Sequence, residues 1–275
     1  MKIKDIINNK KVTVSFEVFP PKQWDKIANT KKVVDEMVKD KPAFMSVTYG
    51  AAGTTSGFTT EIANAIKQGG VEPLSHLTCL TSTKEKINSV LDELEANGIE
   101  NVLALRGDIP KDFEMGKNQY YHNAFELVSE IKARNKFCIG AACYPETHPE
   151  SKNRVEDIAR LKEKVDCGVD FITTQMFFDN EKFYNFREMC AIKEINIPID
   201  AGVEAVIEGI KSYNESPFVK KLLRTLTLNV PYRFLRPWID TSDDREMVRR
   251  SQMLENDCLY SIHKDGTDFY ININP

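Results

Sequence analysis

Residues 87–108 read INSVLDELEANGIENVLALRGD and contain one helix followed by one strand. Four apolar residues recur at the spacing of one helical face, namely Ile87, Val90, Leu91 and Leu94. Gly98 is typical of the residue that ends such a helix. A short apolar run, Asn101–Arg106, follows at once and leads into Gly107 and Asp108. The segment therefore predicts a helix-to-strand unit with charged groups at the end of the strand.

The same alternation of short β-branched or aromatic runs with longer helical segments recurs along the chain. Eight runs are predicted to be strands: Val12–Phe19, Phe44–Tyr49, Glu72–Cys79, Asn101–Arg106, Phe137–Tyr144, Phe171–Gln175, Ile197–Ala201 and Asp268–Ile273. Eight strands with seven intervening helical segments favour a (β/α)8 TIM barrel over an open doubly wound sheet. No glycine-rich nucleotide-binding fingerprint is present. The predicted fold class is α/β, as a single (β/α)8 barrel domain over residues 1–275.

The last predicted strand falls within the final residues of the sequence, so the barrel is expected to lack its last outer helix. Either the N-terminal segment Lys2–Asn9 or another subunit would cover that gap. A homo-oligomer and a partner subunit therefore both stay open as assemblies.

Composition and charge narrow the function classes. The 275 residues are 41% hydrophobic and 28% charged, which is ordinary for a globular protein and excludes collagen-like and disordered classes. Lys and Arg number 37 and Asp and Glu number 41, so neither nucleic acid nor an anionic membrane is expected as a partner. The six cysteines show no metal-ligand spacing, and no run approaches the length of a transmembrane helix. We therefore expect a cytoplasmic protein without a metal site.

The active site of a (β/α)8 barrel lies at the carboxyl ends of the strands. Ten polar residues stand there in this sequence: Glu17, Thr48, Tyr49, His76, Arg106, Asp108, Tyr144, Glu146, His148 and Gln175. Strand alternation places Glu17 on one face with Ser15. A carboxylate within this apolar strand is costly to bury without a function or a partner. Two interpretations of Glu17 stay open: a general acid, or a salt bridge to a neighbouring strand, for which Arg106 is one candidate partner.

A charged helix follows the loop YPETHP, residues 144–149. Asp157, Arg160 and Lys164 recur at i, i+3 and i+7 on this helix, which suits contacts to a ribose and to phosphates. A solvated charged face is the alternative interpretation. Gly107, at the end of the fourth strand, would let a planar or phosphorylated ligand approach the backbone closely.

Six segments resemble, in order and at similar spacing, the methylenetetrahydrofolate reductase family: FEVFPPK, SVTYGAAGTT, HLTCL, NVLALRGDIP, AACYPETHPES and LKEKVDCGVDFITTQMFFDNEKF. The resemblance covers roughly Val12 to Gly202. It implies a flavin-bearing (β/α)8 barrel, an oxidoreductase of one-carbon metabolism and methionine biosynthesis. It further implies that NADH or NADPH reduces noncovalently bound FAD, which then passes a hydride to 5,10-methylenetetrahydrofolate to give 5-methyltetrahydrofolate.

The resemblance also implies roles for individual residues. Glu17 matches the general acid that protonates the folate as its five-membered ring opens. Asp108 matches a carboxylate near the flavin and the folate pterin, and Gln175 matches an amide that contacts the folate. The residues that match FAD contacts are Thr48, Tyr49, Ala51, His76, Arg106, Gly107, Asp108, Tyr144, His148, Asp157, Arg160 and Lys164.

Beyond Gly202 the sequence departs from the family pattern. Family members continue with Gly, two apolar residues and Pro, whereas this chain has Gly202-Val203-Glu204-Ala205. Tyr213 is the nearest counterpart of the aromatic residue that packs on the folate. The departure motivates a second hypothesis from another class, in which the chain is a flavoprotein electron-transfer subunit that acts with a partner protein rather than with NAD(P)H.

Overall fold

Seven parallel strands form the central sheet. The computed structural model describes residues 1–9, 13–21, 23–49, 56–107, 120–175, 177, 179–203, 226–228, 260–265 and 268–273. The strands are β1 (Val14–Val18), β2 (Phe44–Val47), β3 (Glu72–Thr78), β4 (Asn101–Leu105), β5 (Cys138–Cys143), β6 (Phe171–Thr174) and β7 (Ile199–Val203). Each pairs in parallel with the next. A short strand, β8 (Leu226–Leu228), pairs antiparallel with both β7 and β1 and so closes the barrel.

Helices connect the successive strands. A short helix, α1 (Ile3–Ile7), precedes β1. Six helices then follow the first six strands: α2 (Ile27–Met37), α3 (Ser56–Gln68), α4 (Lys84–Ala96), α5 (Ala124–Ala133), α6 (Arg154–Asp166) and α7 (Asn180–Ile192). The seventh predicted helical segment falls in residues 204–225, which lie outside the described residues.

Strand alternation separates an apolar outer layer from a more polar interior. In β1, Phe16 and Val18 belong to the large cluster that packs the strands against the helices. Ser15 and Glu17 alternate with them and face the barrel interior. The predicted apolar face of α4, including Ile87, is buried in the same outer cluster. Removal of this layer from water stabilises the barrel, so the interior is free to hold polar groups.

Helix α1 covers the amino-terminal end of the barrel. Ile3 and Ile7 pack with apolar residues from β2 to β6, namely Phe44, Leu74, Leu103, Cys138 and Phe171. The buried side chain of Asn101 accepts a hydrogen bond from the Ile3 N–H at 2.9 Å and donates to two backbone carbonyls. The expectation that Lys2–Asn9 covers a gap in the outer ring of helices is therefore wrong, because the apolar residues of this segment are buried at the end of the barrel.

The eighth strand was predicted at the wrong place. Strand β10 (Asp268–Ile273) pairs antiparallel with β9 (Tyr260–Asp265) in a separate two-stranded sheet, and the barrel is closed by β8 instead. Only Gly266 and Thr267 separate β9 from β10, which is the loop length of a tight hairpin. Strand β10 therefore pairs with its neighbour in sequence rather than with a barrel strand.

The other strand predictions and the (β/α)8 fold class are confirmed. Each of the first seven predicted strands agrees with the observed strand within two residues at either end. That residues 1–275 form a single domain stays a prediction. Within the described residues, no helix is both long enough and apolar enough to cross a membrane.

Gly140 faces the barrel interior at a point where no side chain fits. A Cβ atom there would lie 2.6 Å from Cζ of Phe171 and 2.9 Å from Cδ1 of Leu103. We expect Gly140→Ala to lower the free energy of unfolding by about 1–3 kcal/mol, the usual cost of overpacking a core. Urea unfolding of the variant and of the wild type measures this difference.

A second variant identifies the cause of the loss. Phe171→Leu removes the ring atoms that the new methyl group would contact, so the double variant should lose less stability than the sum of the two single losses. Strictly additive losses would mean that the contact with Phe171 is not the reason for glycine at this position.

Candidate active site

A groove lined with polar residues opens at the carboxyl ends of the strands. Two adjoining cavities of about 330 Å³ each, here together called the strand-end groove, share six lining residues: Arg106, Ala124, Ala142, Tyr144, His148 and Lys164. Eight residues predicted to bind a cofactor line this groove: Tyr49, Arg106, Gly107, Tyr144, His148, Asp157, Arg160 and Lys164. Each cavity has the size of a small-ligand pocket. The structure therefore brings most of the predicted cofactor residues to one place.

The loop after β5 is held in its conformation by Asp157. The Asp157 carboxylate accepts hydrogen bonds from the backbone N–H of His148 at 3.0 Å and from the Ser151 hydroxyl at 3.2 Å. Thr147 has a φ of 80°, in the left-handed region that a threonine seldom adopts, so the loop needs such bonds to keep this turn. The rings of Tyr144 and His148 meet edge to face with centroids 4.6 Å apart. Asp157 thus shapes the wall of the groove as well as lining it.

Arg106 lies directly after β4 and pairs with Glu150 in the same loop. Two guanidinium nitrogens each donate to the Glu150 carboxylate at 2.6 Å, and this hydrogen bonding lowers the pKa of Glu150. The predicted salt bridge between Glu17 and Arg106 is wrong, because Arg106 reaches the loop after β5 instead. Exposed ion pairs contribute little stability, so Arg106 can exchange this partner for an anionic ligand.

Two further cations come from α6. Lys164 is half-buried, and its Nζ donates to the Ala142 carbonyl at 2.7 Å. Burial lowers the pKa of Lys164. Arg160 is exposed and pairs with Glu156 one turn earlier at 2.7 Å. Together with Arg106, these side chains bring three cations to the groove, whose lining also carries the carboxylates of Glu150, Asp157 and Glu163.

Glu17 lies in the barrel interior beside one inward-facing residue of β2 and one of β3. Its Oε2 accepts a hydrogen bond from Ser46 Oγ at 2.9 Å and lies 3.5 Å from Nε2 of His76. Burial lowers the pKa of His76, so the imidazole is neutral at pH 7. Glu17 keeps 21% of its side chain exposed. It also contributes to a cavity of about 460 Å³, whose other lining residues come from the end of β1, the loop after it and α2, and which shares no residue with the strand-end groove. The carboxyl group is therefore held by the barrel and open to a ligand.

In the strand-end groove, the backbone of Gly107 lies close to Thr78, whose hydroxyl is buried. Gly107 has a φ of +85°, and a Cβ atom there would lie 3.0 Å from Cβ of Thr78. The Thr78 hydroxyl is buried and has no hydrogen-bond partner among the described residues. Both residues line the groove, which therefore offers a ligand the Thr78 hydroxyl as a donor. Glycine is required at position 107 because its φ is positive and because Thr78 lies too close for a side chain there.

The remaining predicted site residues lie at different places. Gln175 lines the groove, and its backbone N–H donates to the Cys143 carbonyl at 2.7 Å. The carbonyl of Thr48, just after β2, accepts a hydrogen bond from the Thr59 hydroxyl at 3.1 Å. Three predicted residues lie outside the described residues: Ala51, Asp108 and Tyr213. In the described part of the chain, no group of His, Cys, Asp and Glu side chains is arranged to hold a metal ion.

Sequence reasoning missed two features of the site. Asp200 on β7 is only 1% exposed, and its carboxylate accepts a hydrogen bond from the Thr173 hydroxyl at 3.3 Å. A single carboxylate in an apolar strand was the signal that singled out Glu17, and the same signal would have found Asp200. Phe125 lines the groove with 40% of its surface exposed. It follows no predicted strand, so the strand-end rule could not find it.

The fold and the groove define a (β/α)8-barrel protein whose polar site lies at the carboxyl ends of the strands, where barrel enzymes carry their active sites. The chain belongs to the methylenetetrahydrofolate reductase family, which it matches over residues 2–266. The resemblance of its six sequence segments is thereby confirmed.

Bacterial and plant relatives carry the family name. The 5,10-methylenetetrahydrofolate reductase of Escherichia coli K12 is 34% identical over 237 residues, which are 86% of this chain and 76% of that protein. That of Pectobacterium carotovorum is 38% identical over 194 residues, 70% of this chain and 64% of the relative. Methylenetetrahydrofolate reductase (NADH) 1 of Arabidopsis thaliana is 38% identical over 216 residues, 74% of this chain and 36% of the plant protein. The chain thus covers less than two-thirds of the length of the last two proteins.

Solved structures share the barrel. An uncharacterized protein from Clostridium thermocellum that binds two copies of 5-methyl-5,6,7,8-tetrahydrofolic acid has a TM-score of 0.50 and 13% identity, over 80% of this chain and 78% of that one. The 3-dehydroquinate dehydratase of Geobacillus kaustophilus has a TM-score of 0.51 and 10% identity, over 76% of this chain and 82% of that one. At such low identity these matches show the fold alone.

Asp200 carries a cost in stability that depends on pH. Burial raises the pKa of Asp200 to about 7, whereas an unfolded aspartate has a pKa of about 3.9. The folded carboxyl therefore keeps a proton that the unfolded chain releases, and its contribution to stability is lost as the pH rises from about 4 through about 7. Asp200→Asn stays neutral at every pH. We expect it to raise the free energy of unfolding at pH 8 by on the order of 1–4 kcal/mol, and by much less at pH 4.

Urea unfolding at both pH values measures this difference. Asp35→Asn, which neutralises an exposed carboxylate on α2, is the matched control and should show no comparable gain. A gain for Asp200→Asn of equal size at pH 4 and pH 8 would contradict the explanation, since it would not depend on ionisation of the carboxyl group.

Proposed function

We propose that this protein is an FAD-dependent 5,10-methylenetetrahydrofolate reductase, which uses NAD(P)H to reduce the methylene group of the folate to a methyl group. Family membership supports the activity. The observation that carries the proposal is Glu17, which faces the barrel interior, accepts a hydrogen bond from Ser46 and is open to a ligand. It stands in the segment FEVFPPK, where the family has its general acid.

The strand-end groove fits FAD. Thr78 offers a buried hydroxyl without a partner among the described residues, and the backbone of Gly107 lies close to it in the same groove. Arg106 and Lys164 would hold the pyrophosphate, and the Asp157 carboxylate would accept a hydrogen bond from a ribose hydroxyl. Bound FAD would supply the hydride chemistry between the nicotinamide and the folate. The other residues matched to FAD contacts would complete a noncovalent site: Thr48, Tyr49, Ala51, His76, Asp108, Tyr144, His148 and Arg160.

The folate would bind near Glu17, with Gln175 contacting it from the groove. Asp108 and Tyr213 are proposed to contact the pterin and to pack on the folate. The Clostridium thermocellum protein shows that a barrel of this fold can bind a reduced folate, and the individual contacts are proposed from the sequence resemblance.

Glu17 would act as the general acid. Its carboxyl proton passes to the folate nitrogen as the five-membered ring opens to an iminium, and Glu17 is left as a carboxylate. The Ser46 hydroxyl stabilises that carboxylate through its hydrogen bond. The imidazole of His76, which burial keeps neutral, places no positive charge beside Glu17.

Visible spectra of the purified protein test the proposal. Anaerobic NADH should bleach the flavin absorption, and methylenetetrahydrofolate should then restore it. NADH is the first donor to use, because the Arabidopsis relative is named for it. A protein that purifies without flavin and does not take up added FAD rejects the proposal. Reduction by dithionite but not by NADH or NADPH favours an electron-transfer subunit that acts with a partner protein.

Asp157→Ala and Lys164→Ala should weaken FAD retention. Each removes a charged group that would bind the cofactor, and the loss of one charged hydrogen bond costs about 1–3 kcal/mol. Equilibrium dialysis of FAD against each variant measures the change. Lys162→Ala removes a cation from the same helix that does not line the groove, so it is the control and should retain FAD as the wild type does. Equal FAD affinity in all four proteins would reject both assignments.

Glu17→Gln separates the acid from a structural role. The amide keeps the size of the side chain and can still accept the hydrogen bond from Ser46, but it cannot deliver a proton. Flavin reduction by NADH should survive nearly intact, while the folate half-reaction should fall by about 10²–10⁴-fold. Stopped-flow measurement of each half-reaction tests this expectation.

A thermal melt of the same variant is the control for stability. The contacts of Glu17 are a hydroxyl and a neutral imidazole, so the amide leaves no cation unpaired among them. Glu17→Gln should therefore melt near the wild-type temperature. If reduced flavin is reoxidised by the folate at the wild-type rate, Glu17 is not the acid.

A further inference from the structure

An ion pair between Arg106 and Glu150 lies within the strand-end groove. Nη1 and Nη2 of Arg106, directly after β4, each donate to one carboxylate oxygen of Glu150 in the loop after β5, both at 2.6 Å. Arg106 lines both cavities of the groove, and Glu150 lines one of them. The two side chains therefore meet where a ligand of the groove would bind.

The contact uses the part of the guanidinium that suits a phosphate. A guanidinium binds a carboxylate or a phosphate through the same planar fork of two parallel N–H donors. In Arg106, both terminal nitrogens of this fork donate to Glu150. A ligand phosphate that approaches the fork must therefore compete with the Glu150 carboxylate for the same donors.

The hydrogen bonds that hold the loop do not involve the Glu150 carboxylate. The backbone N–H of Glu150 donates to Nδ1 of His148 at 3.1 Å, and the backbone N–H of His148 donates to Asp157 at 3.0 Å. The Glu150 side chain can therefore turn away from Arg106 while these bonds stay in place. It is 56% exposed, so water can solvate the released carboxylate.

Three carboxylates line this part of the groove, namely those of Glu150, Asp157 and Glu163. Within the described part of the chain, only Glu150 forms an ion pair with a cation of the groove. Asp157 instead accepts hydrogen bonds from the loop after β5. Glu163 lines the same cavity without a bond to Arg106, so it provides a matched comparison for Glu150.

We propose that Glu150 is an internal competitor of the cofactor: its carboxylate binds Arg106, and FAD binds only as Glu150 releases this guanidinium to the cofactor's phosphates. The inference rests on the FAD-dependent function proposed above. An exposed ion pair contributes little free energy, whereas a pyrophosphate between Arg106 and Lys164 gains charged hydrogen bonds to two cations, so the exchange favours the cofactor. The Glu150 carboxylate thereby lowers the affinity of the groove for FAD.

Equilibrium dialysis of FAD against two variants tests the proposal. Glu150→Gln keeps the size of the side chain but removes the charge that binds Arg106. It should bind FAD about two- to fivefold more tightly than the wild type, the range that corresponds to an exposed ion pair. Glu163→Gln removes an equal charge from the lining of the same cavity without breaking a pair with Arg106, and its gain should be clearly smaller.

Two results of this comparison overturn the proposal. Equal gains in the two variants would mean that any negative charge in the groove repels FAD, whether or not it binds Arg106. Unchanged or weaker binding by Glu150→Gln would mean that this side chain supports the site rather than competes for it.

A double variant shows whether the effect acts through Arg106. Arg106→Gln should weaken FAD binding, and in its presence Glu150→Gln should add no more than Glu163→Gln does. Arg106→Lys, which keeps the charge but not the fork, serves the same purpose if Arg106→Gln does not fold, and should leave a reduced gain. A gain from Glu150→Gln that persists in full in these backgrounds contradicts the proposal.

ADP distinguishes a failure of this inference from a failure of the proposed function. It carries a diphosphate but no flavin, so its binding in dialysis requires no activity. If ADP binds more tightly to Glu150→Gln than to the wild type while neither protein takes up FAD, the competition at Arg106 is supported and the proposed function fails. If the wild type binds FAD that NADH reduces, but Glu150→Gln shows no gain, the competition fails and the proposed function stands. Binding of neither ADP nor FAD by any of the proteins rejects both.

Discussion

Strand alternation in a closed barrel is the constraint on which the rest of the structure depends. Every second side chain of a strand must face an interior from which helices and neighbouring strands exclude water. At the amino-terminal end, that interior is filled by apolar residues and by Ile3 and Ile7 of α1. Further along the strands, the inward positions carry Glu17, His76 and Asp200 instead. The apolar outer layer stabilises the barrel, and the interior can therefore hold polar groups that cost stability.

The sequence predicts those strands and helices that are long enough for their apolar residues to show a regular spacing. Strands β1 to β7 are apolar runs between helical segments, so the alternation itself identifies them. Strand β8 has only three residues, too few for a period to appear, and the eighth strand was therefore assigned to β10. The hairpin could have been found, because only two residues, Gly266 and Thr267, separate the two runs in the sequence, which is the loop length of a tight hairpin. The position of α1 depends on packing against five strands, which no local pattern encodes.

In the candidate site, the sequence predicts where the charged residues lie but not which of them form ion pairs. The rule that barrel sites lie at strand ends correctly placed Arg106, Gly107 and Gln175 in one groove. It could not give the partner of Arg106, because Glu150 reaches it only through a loop whose turn depends on Thr147 and Asp157. Residue types and spacing thus predict where charges gather. Which charges pair depends on backbone conformation, which non-local hydrogen bonds determine.

The two interior carboxyl groups, Glu17 and Asp200, differ in how far a ligand can reach them. Glu17 has 21% of its side chain exposed, whereas Asp200 is 1% exposed, so a ligand can reach the first and not the second. An apolar side chain at position 200 would fill the space without the cost of desolvating a charge, and stability alone therefore does not account for an aspartate there. Proton transfer needs one group that touches the substrate and an environment that keeps it protonated near neutral pH. Of the two carboxyl groups, only Glu17 can touch a substrate, whereas the burial that raises the pKa of Asp200 also closes Asp200 to ligands.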